Sequence, residues 1–177
     1  MEPLSIIDRY CKVTRLKEIL LRHSMAVAEK AVSIALRCEW LHADVDFVRE
    51  AALLHDIGIV YVNAPSIACS GTEPYICHGV LGAEILRREG YERHALVCER
   101  HTGTGLTESQ IIAQNLHLPH RDMQPQSVEE LIICFADKFF SKTRLDEEKS
   151  VEQARRSLEK FGADGLVKFD RWCQMFL

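Results

Sequence analysis

The 177-residue sequence lacks several features that would place a protein in a familiar class at once. Its seven cysteines form no Cys-x-x-Cys pair, which argues against a structural zinc site and favours reduced, packed thiols. A basic excess is also missing, because the net charge is −4. Proteins that bind nucleic-acid polymers usually carry such an excess, so we expect no partner of that kind.

Long apolar runs are absent as well. The longest uncharged stretch, residues 57–72, is interrupted by Gly58, Asn63, Pro65 and Gly71 and is too short to cross a bilayer. The first residues show no basic region followed by an apolar run, so no secretory signal is expected. We therefore expect a cytoplasmic protein with no membrane partner.

What is present is the composition of an ordinary globular chain. Hydrophobic residues make up 47% and charged residues 27% of the sequence, which excludes a disordered or fibrous protein. No repeat or linker is visible. We expect a single domain over residues 1–177, with a motif-bearing core at about 20–142 and C-terminal helices over 146–177 that pack on it.

Apolar residues recur at steps of three and four along most of the chain, which predicts an all-α helical bundle. Asp44 or Asp46 is expected to cap the second helix and Gly58 to end it. Ser127 and Glu130 fit a capping box. The expected helices lie at about 16–38, 44–56, 72–90, 91–101, from 107, 127–142, 146–162 and from 164, with one short extended piece around 59–62.

The informative residues are polar side chains on apolar helix faces. They are His23, His55, Asp56, His78, His101 and Asp137. Asp137 follows a nearly continuous apolar run, so its carboxylate needs either a metal ion or a basic side chain as a partner. Any one of these histidines alone is more often an ordinary core residue than a ligand.

As a set, these four histidines and two aspartates indicate a metal site in the core of the bundle. Imidazole nitrogens and carboxylate oxygens together suit iron, manganese, zinc or cobalt. Carboxylates can also bridge two such ions, which then hold a phosphoryl group between them.

The motifs resemble those of a known family. His23, the pair His55-Asp56 and Asp137 are similar to the H…HD…D signature of HD-domain metal-dependent phosphohydrolases, and residues 52–58 resemble the HDIG form of that signature. The likeness spans about residues 20–142 and implies an HD-type helical bundle with its metal site in the core.

Two further segments, His78-Gly79 and residues 100–102, resemble the extra histidines of small bacterial HD hydrolases with two metals, such as the symmetrical dinucleoside tetraphosphatases. This likeness implies two divalent transition metals per chain, bridged by Asp56. His23, His55, Asp56 and Asp137 would hold the first metal, and His78 and His101 the second. Ile59 stands where cyclic-di-GMP phosphodiesterases of the HD-GYP type usually carry lysine, which disfavours that branch.

The resemblance implies hydrolysis of a nucleotide or another small phosphoester by a metal-activated water. Asp56 is the expected catalytic carboxylate. Lys138 is a candidate for a catalytic contact with the phosphate, although a surface lysine with a solvated head group is the favoured interpretation of its position. Lys142 and Arg144 either hold a distal phosphate or form a solvated charge cluster, and the second interpretation is favoured.

Two other functions stay open: an HD-fold di-iron oxygenase, which would use the same ligands, and a non-catalytic metal-binding sensor or interaction module. His94 is an alternative to His101 as a ligand, whereas His117 and His120 read as loop residues.

The C-terminal aromatic residues carry no recognisable chemistry. Phe169, Trp172 and Phe176 recur at helical spacing and are expected in the core. A homodimer contact through them is a further possibility.

Overall fold

The computed structural model describes residues 2–177, and nearly all of its regular structure is helical. The α-helices are α1 (Pro3–Tyr10), α2 (Thr14–Arg37), α3 (Val45–Leu54), α4 (His78–Arg88), α5 (Glu92–Arg100), α6 (Glu108–Ala113), α7 (Val128–Asp137), α8 (Val151–Ser157) and α9 (Ala163–Phe176). Strands β1 (Asn63–Ala64) and β2 (Cys69–Ser70) form an antiparallel pair with Asn63 opposite Ser70. The all-α prediction is confirmed.

Short side chains at the predicted caps begin the helices that carry the site. The Asp44 carboxylate accepts a hydrogen bond from the Phe47 amide at 3.0 Å at the start of α3. The Ser127 hydroxyl accepts one from the Glu130 amide at 3.2 Å at the start of α7. Glu130 does not complete the predicted capping box, because its carboxylate accepts from Arg100 and from the Gln126 amide instead.

Two large apolar clusters make up most of the core, and α2 contributes to both. One cluster joins α2, α3, α7 and α9 and contains the predicted core residues Phe169, Trp172 and Phe176. The other joins α1, the first half of α2, α4 and α5. Leu20 belongs to the second cluster and Val27 to the first, so His23 lies on α2 where the two clusters meet.

Several predicted boundaries differ from the structure. Helix α3 ends at Leu54, two residues before the expected end at 56, and α7 ends at Asp137, five residues before position 142. The chain continues from Asp56 as a 3-10 helix over Ile57–Tyr61, because the Ile59 amide donates to the Asp56 carbonyl at 3.0 Å. The extended piece expected at 59–62 is therefore displaced to the strands β1 and β2.

The acidic run at 146–148 does not begin a helix. Its side chains instead reach α2, where Arg22 pairs with Asp146 and Lys30 pairs with Glu148 at 2.6 Å. Helix α8 begins later, at Val151, where Ser150 forms a capping box with Gln153.

The seven cysteines are all free, and six of them are buried, as expected for packed thiols. Within residues 2–177, none of the helices combines the length and apolar character needed to span a membrane.

Candidate metal centre

Five helices place the six predicted ligand side chains around one point of the core. His23 lies in the middle of α2, and Asp137 is the last residue of α7. The pair His55-Asp56 directly follows α3. The remaining two are His78, the first residue of α4, and His101, which directly follows α5. Residues 114 positions apart in the chain therefore contact each other here.

The first group consists of His23, His55, Asp56 and Asp137, whose candidate ligand atoms lie within 4.8 Å of one another. The Nε2 atom of His23 lies 3.0 Å from Oδ1 of Asp137 and 3.1 Å from Oδ2 of Asp56. The Nε2 atom of His55 lies 3.1 Å from that same Oδ2 and 3.5 Å from Oδ1 of Asp137. Two carboxylates and two imidazoles thus face a common centre.

The second group consists of Asp56, His78 and His101. The Nε2 atoms of the two histidines are 3.0 Å apart, and each lies 3.5 Å from Oδ1 of Asp56. Asp56 therefore directs Oδ2 towards the first group and Oδ1 towards the second. One carboxylate is shared by both groups.

Backbone carbonyls orient three of the histidine rings. In each ring, Nδ1 lies within hydrogen-bond distance of the carbonyl three residues earlier: 2.6 Å for His55 and 2.7 Å for both His78 and His101. A carbonyl only accepts, so Nδ1 carries a proton and Nε2 is the ring nitrogen that faces the centre. Such an outer hydrogen bond is typical of metal-ligating histidines.

These residues fit a divalent transition metal. The buried Nε2 of His55 and Oδ1 of Asp56 have no hydrogen-bond partner among the described residues, and Asp56 is 0% exposed. Buried polar atoms without partners are costly unless a cation or proton is supplied. The Nε2 lone pairs of His78 and His101 face each other and impose the same requirement.

Two lysines compensate the negative charge of the centre. The ammonium group of Lys142 lies 2.6 Å from Oδ2 of Asp56, and Lys138 donates to Oδ2 of Asp137 at 2.8 Å. Burial favours the neutral acids, but the lysines and histidines outweigh it and hold the pKa of both carboxyls well below the usual range. Both aspartates are therefore ionised at neutral pH.

His55 of the first group and His78 of the second differ in charge. Burial opposes protonation of His55, but Asp56 and Asp137 outweigh it and raise its pKa to about 9. Burial and the neighbouring His101 instead lower the pKa of His78 to about 3. Burial also lowers the pKa of His101. The second group thus presents neutral imidazoles.

Lys138 and Lys142 both lie at the centre rather than on the solvated surface. Lys138 is 8% exposed and donates to the His101 carbonyl at 3.0 Å, so the surface-lysine interpretation is wrong. The solvated interpretation is also wrong for Lys142, although it holds for Arg144, which is 61% exposed and pairs with Glu147. The expected helix runs to residue 142, but α7 ends at Asp137. The turn that follows brings Lys142 back to Asp56.

The other histidines lie outside the centre. His94 packs edge-on against Phe47, and its Nε2 lies 3.5 Å from Glu50, so it does not replace His101. His117 and His120 are exposed loop residues, as expected.

A cavity of about 500 Å³ opens on the centre. His78, His101 and Asp137 belong to its lining, so a ligand in it would reach both groups. Most of the remaining lining consists of aromatic and hydroxyl side chains and four lysines: Ser66, Tyr75, Thr102, Lys138, Phe140, Ser141, Lys142, Thr143, Lys149, Ser157, Lys160 and Phe161.

A model of the HD domain family matches residues 20–141. The chain belongs to the HD domain family. The resemblance inferred from His23, His55-Asp56 and Asp137 is thereby confirmed, and family membership supports a metal-dependent phosphohydrolase that uses divalent metal.

Relatives among known proteins fall into two kinds. An uncharacterized protein of Methanocaldococcus jannaschii is 35% identical over 161 residues, which cover 89% of this chain and 85% of that protein. Two proteins named tRNA (cytidine(56)-2'-O)-methyltransferase are also similar. That of Thermoplasma volcanium is 32% identical over 88% of this chain, and that of Picrophilus torridus is 34% identical over 72%. The chain spans only 42% and 33% of those two proteins.

Solved structures with the same fold include the HD domain of the Listeria monocytogenes phosphodiesterase PgpH. Its complex with cyclic-di-AMP has a TM-score of 0.58 and 21% identity, covering 100% of this chain and 85% of that one. The same domain crystallised separately also gives a TM-score of 0.58 and 21% identity, with 99% and 86% coverage. These likenesses show the HD fold.

Proposed function

We propose that the protein is a phosphohydrolase that uses two divalent metals to cleave a phosphoester or phosphoanhydride bond in a nucleotide or another small phosphorylated molecule. The observation that carries this proposal is the position of Asp56. Its two oxygens face the Nε2 atoms of two separate pairs of histidines, which is the arrangement expected of a carboxylate shared by two ions.

The ligands in this proposal are the six predicted residues. His23, His55, Asp56 and Asp137 would hold one metal, and Asp56, His78 and His101 the other. Such metals supply a water of lowered pKa as nucleophile and offset negative charge on the phosphoryl oxygens.

Lys138 is proposed as a catalytic residue that contacts the substrate phosphate. Its ammonium group has three N–H donors, of which Asp137 and the His101 carbonyl accept two. The third can reach a phosphate oxygen, since Lys138 lines the cavity beside Asp137. Lys142 keeps the shared Asp56 ionised, and both lysines hold fixed positive charge where substrate charge would approach.

Cavity size and net charge favour a small substrate over a polymer. About 500 Å³ falls in the range of small-molecule sites, roughly 300–1,000 Å³. The net charge of −4 disfavours non-specific attraction to nucleic-acid backbones. The cyclic-di-AMP bound by the PgpH domain supports the nucleotide class. The names of the two methyltransferase relatives make tRNA the competing partner, and a titration with labelled tRNA tests it.

The deciding experiment measures metal content and hydrolysis on the same preparation, purified without oxygen or chelator. We expect close to two metals per chain, and turnover of at least one member of a panel of dinucleoside polyphosphates, cyclic dinucleotides and mononucleotides. Activity with zinc, which is not redox-active, would favour hydrolysis, whereas oxygen uptake would favour the di-iron oxygenase. A metal-loaded protein with no turnover of either kind would favour the sensor or interaction module.

A further inference from the structure

The lysines of this acidic chain are concentrated in one place. Four of its eight lysines line the cavity. The only carboxylate in the described lining is Asp137, and the other carboxylate of the centre, Asp56, lies fully buried behind it. The cavity therefore contains more positive charge than the centre needs for compensation.

Two of the four lysines are accounted for by the centre. Lys138 pairs with Asp137 at 2.8 Å, and Lys142 pairs with Asp56 at 2.6 Å. Each carboxylate of the centre thus has one lysine. Lys149 and Lys160 are the two that are left over.

Lys149 and Lys160 have no carboxylate within 4.0 Å anywhere in residues 2–177. Lys149 is half-buried, and its ammonium group reaches only the Lys138 carbonyl, at 3.3 Å. Burial lowers its pKa, so an anion beside it would remove part of the cost of burying the charge. Lys160 is exposed, with its ammonium group 5.1 Å from the centre of the Phe161 ring.

The segment that carries these lysines is fixed against the centre. Phe161 packs over Gly103, two residues after His101, so tightly that a Cβ at Gly103 would lie 3.2 Å from the ring. Gly103 also has a φ of +60°, which glycine adopts without strain. Lys149 and Lys160 both lie beyond residue 141, where the match to the HD family ends.

From this arrangement we infer a second anion subsite in the cavity, formed by Lys149 and Lys160. We call it the distal anion subsite. The inference rests on the proposed function and narrows its substrate. The substrate is a small molecule with two anionic groups of the phosphate type, one held at the metal centre and one by these two lysines.

The test compares two probes with the metal-loaded protein, propane-1,3-diol bisphosphate and propyl phosphate, by calorimetric titration. Wild-type protein should bind the bisphosphate about tenfold more tightly than propyl phosphate. Only the bisphosphate has a second phosphate for Lys149 and Lys160, and hydrogen bonds between charged groups are stronger than those between neutral groups. The double variant Lys149→Gln/Lys160→Gln should lose this preference. Lys12→Gln/Lys17→Gln, which also removes two positive charges but outside the cavity lining, is the charge-matched control and should keep it.

Equal affinity for the two probes in wild-type protein, or an unchanged preference in the double variant, would overturn the subsite. If the double variant does not fold, the single variants and the salt dependence of the wild-type preference decide: a preference unaffected by added salt would contradict an exposed lysine contact. Hydrolysis is scored separately with 4-nitrophenyl phosphate. If wild-type protein hydrolyses neither this ester nor any member of the nucleotide panel but keeps its binding preference, the proposed function is rejected and the subsite stands.

Discussion

The two ligand groups share Asp56 but differ in their number of carboxylates and in the pKa of their histidines. The first group has two carboxylates, and they raise the pKa of His55 to about 9. The second group has only the shared carboxylate, and its His78 has a pKa of about 3. The first group offers four candidate ligands, two of them carboxylates, and the second offers three, so we expect the first group to bind metal more tightly and the second to fill later.

The groups also differ in how the helices that carry them pack. The first is attached to α2, α3 and α7, which share one apolar cluster. The second is attached to α4 and α5, which pack mainly on each other and on the 3-10 helix at Ile57–Tyr61. A change in α4 or α5 can therefore disturb the second group while the first keeps its packing.

Removing the shared carboxylate should have the largest effect. Asp56→Ala should abolish binding of both metals and reduce turnover by about a thousandfold or more, because both groups lose a ligand. Elemental analysis and the hydrolysis assay check this. Asp8→Ala, an exposed aspartate, is the control. A metal-loaded, active Asp56→Ala protein would refute the proposed centre.

Removing a ligand that belongs only to the second group should abolish metal binding there and leave the metal of the first group in place. His78→Ala should lower the metal content from about two ions per chain to about one and reduce activity at least about tenfold. His94→Ala removes another buried histidine, next to Glu50, and should retain both metals. If His78→Ala binds as much metal as wild-type protein, His78 is a structural residue.

The next substitution concerns Gly58, which follows the shared Asp56 by two residues and packs against the backbone of α4. A Cβ at Gly58 would lie 2.0 Å from the His78 carbonyl oxygen and 2.3 Å from the Gly82 amide nitrogen. Because backbone would have to move, Gly58→Ala should lower the free energy of unfolding by about 3 kcal/mol. Denaturant unfolding measures it.

Gly90→Ala is the control for that substitution. Gly90 has a φ of +82°, but no atom lies within 4 Å of a Cβ there, so only backbone strain of about 1 kcal/mol is expected. Equal losses for the two variants would show that the close approach of Gly58 to α4 is unimportant.

The smallest expected effect concerns the ion pairs that join α4 to α5. Glu99 on α5 is 6% exposed and accepts from Arg87 of α4 at 2.6 Å and from Arg121 at 2.7 Å. Glu99→Gln should cost about 2 kcal/mol at neutral pH, less than a fully buried pair because both arginines are partly exposed.

The pH dependence of that cost follows from the pKa of Glu99. Burial opposes its ionisation, but the hydrogen bonds from Arg87 and Arg121 outweigh burial and lower its pKa. The stabilisation should be complete above the unfolded value, about 4.3, and disappear as pH falls through the folded value. Unfolding curves of wild type and Glu99→Gln should converge on acidification, and a gap that is constant with pH would contradict this account.

Local patterns were sufficient for much of the fold and for the candidate ligands. The apolar stripe around His23 and the apolar run before Asp137 can each be recognised within about ten to twenty neighbouring residues. Helix periodicity over those residues places both side chains on the buried face. The Asp44 cap is likewise a local interaction and is confirmed. The single-domain extent over 1–177, a homodimer and the roles of the site residues stay predictions.

Long-range contacts account for what local patterns missed. Lys142 shows no periodic signal, since α7 ends at Asp137 and the following turn carries the lysine back to Asp56. Phe161 reaches Gly103 from 58 positions away in the chain, which no local pattern encodes.

Residue type and spacing therefore specify which side chains are inward-facing candidate metal ligands, because helix periodicity is a property of a few consecutive residues. Packing of separate helices specifies which of these ligands share a centre. It turns one oxygen of Asp56 to each group and encloses Lys138 and Lys142 with the carboxylates. It also leaves Lys149 and Lys160 without a carboxylate partner, because charge balance inside a cavity is set by contacts between distant segments.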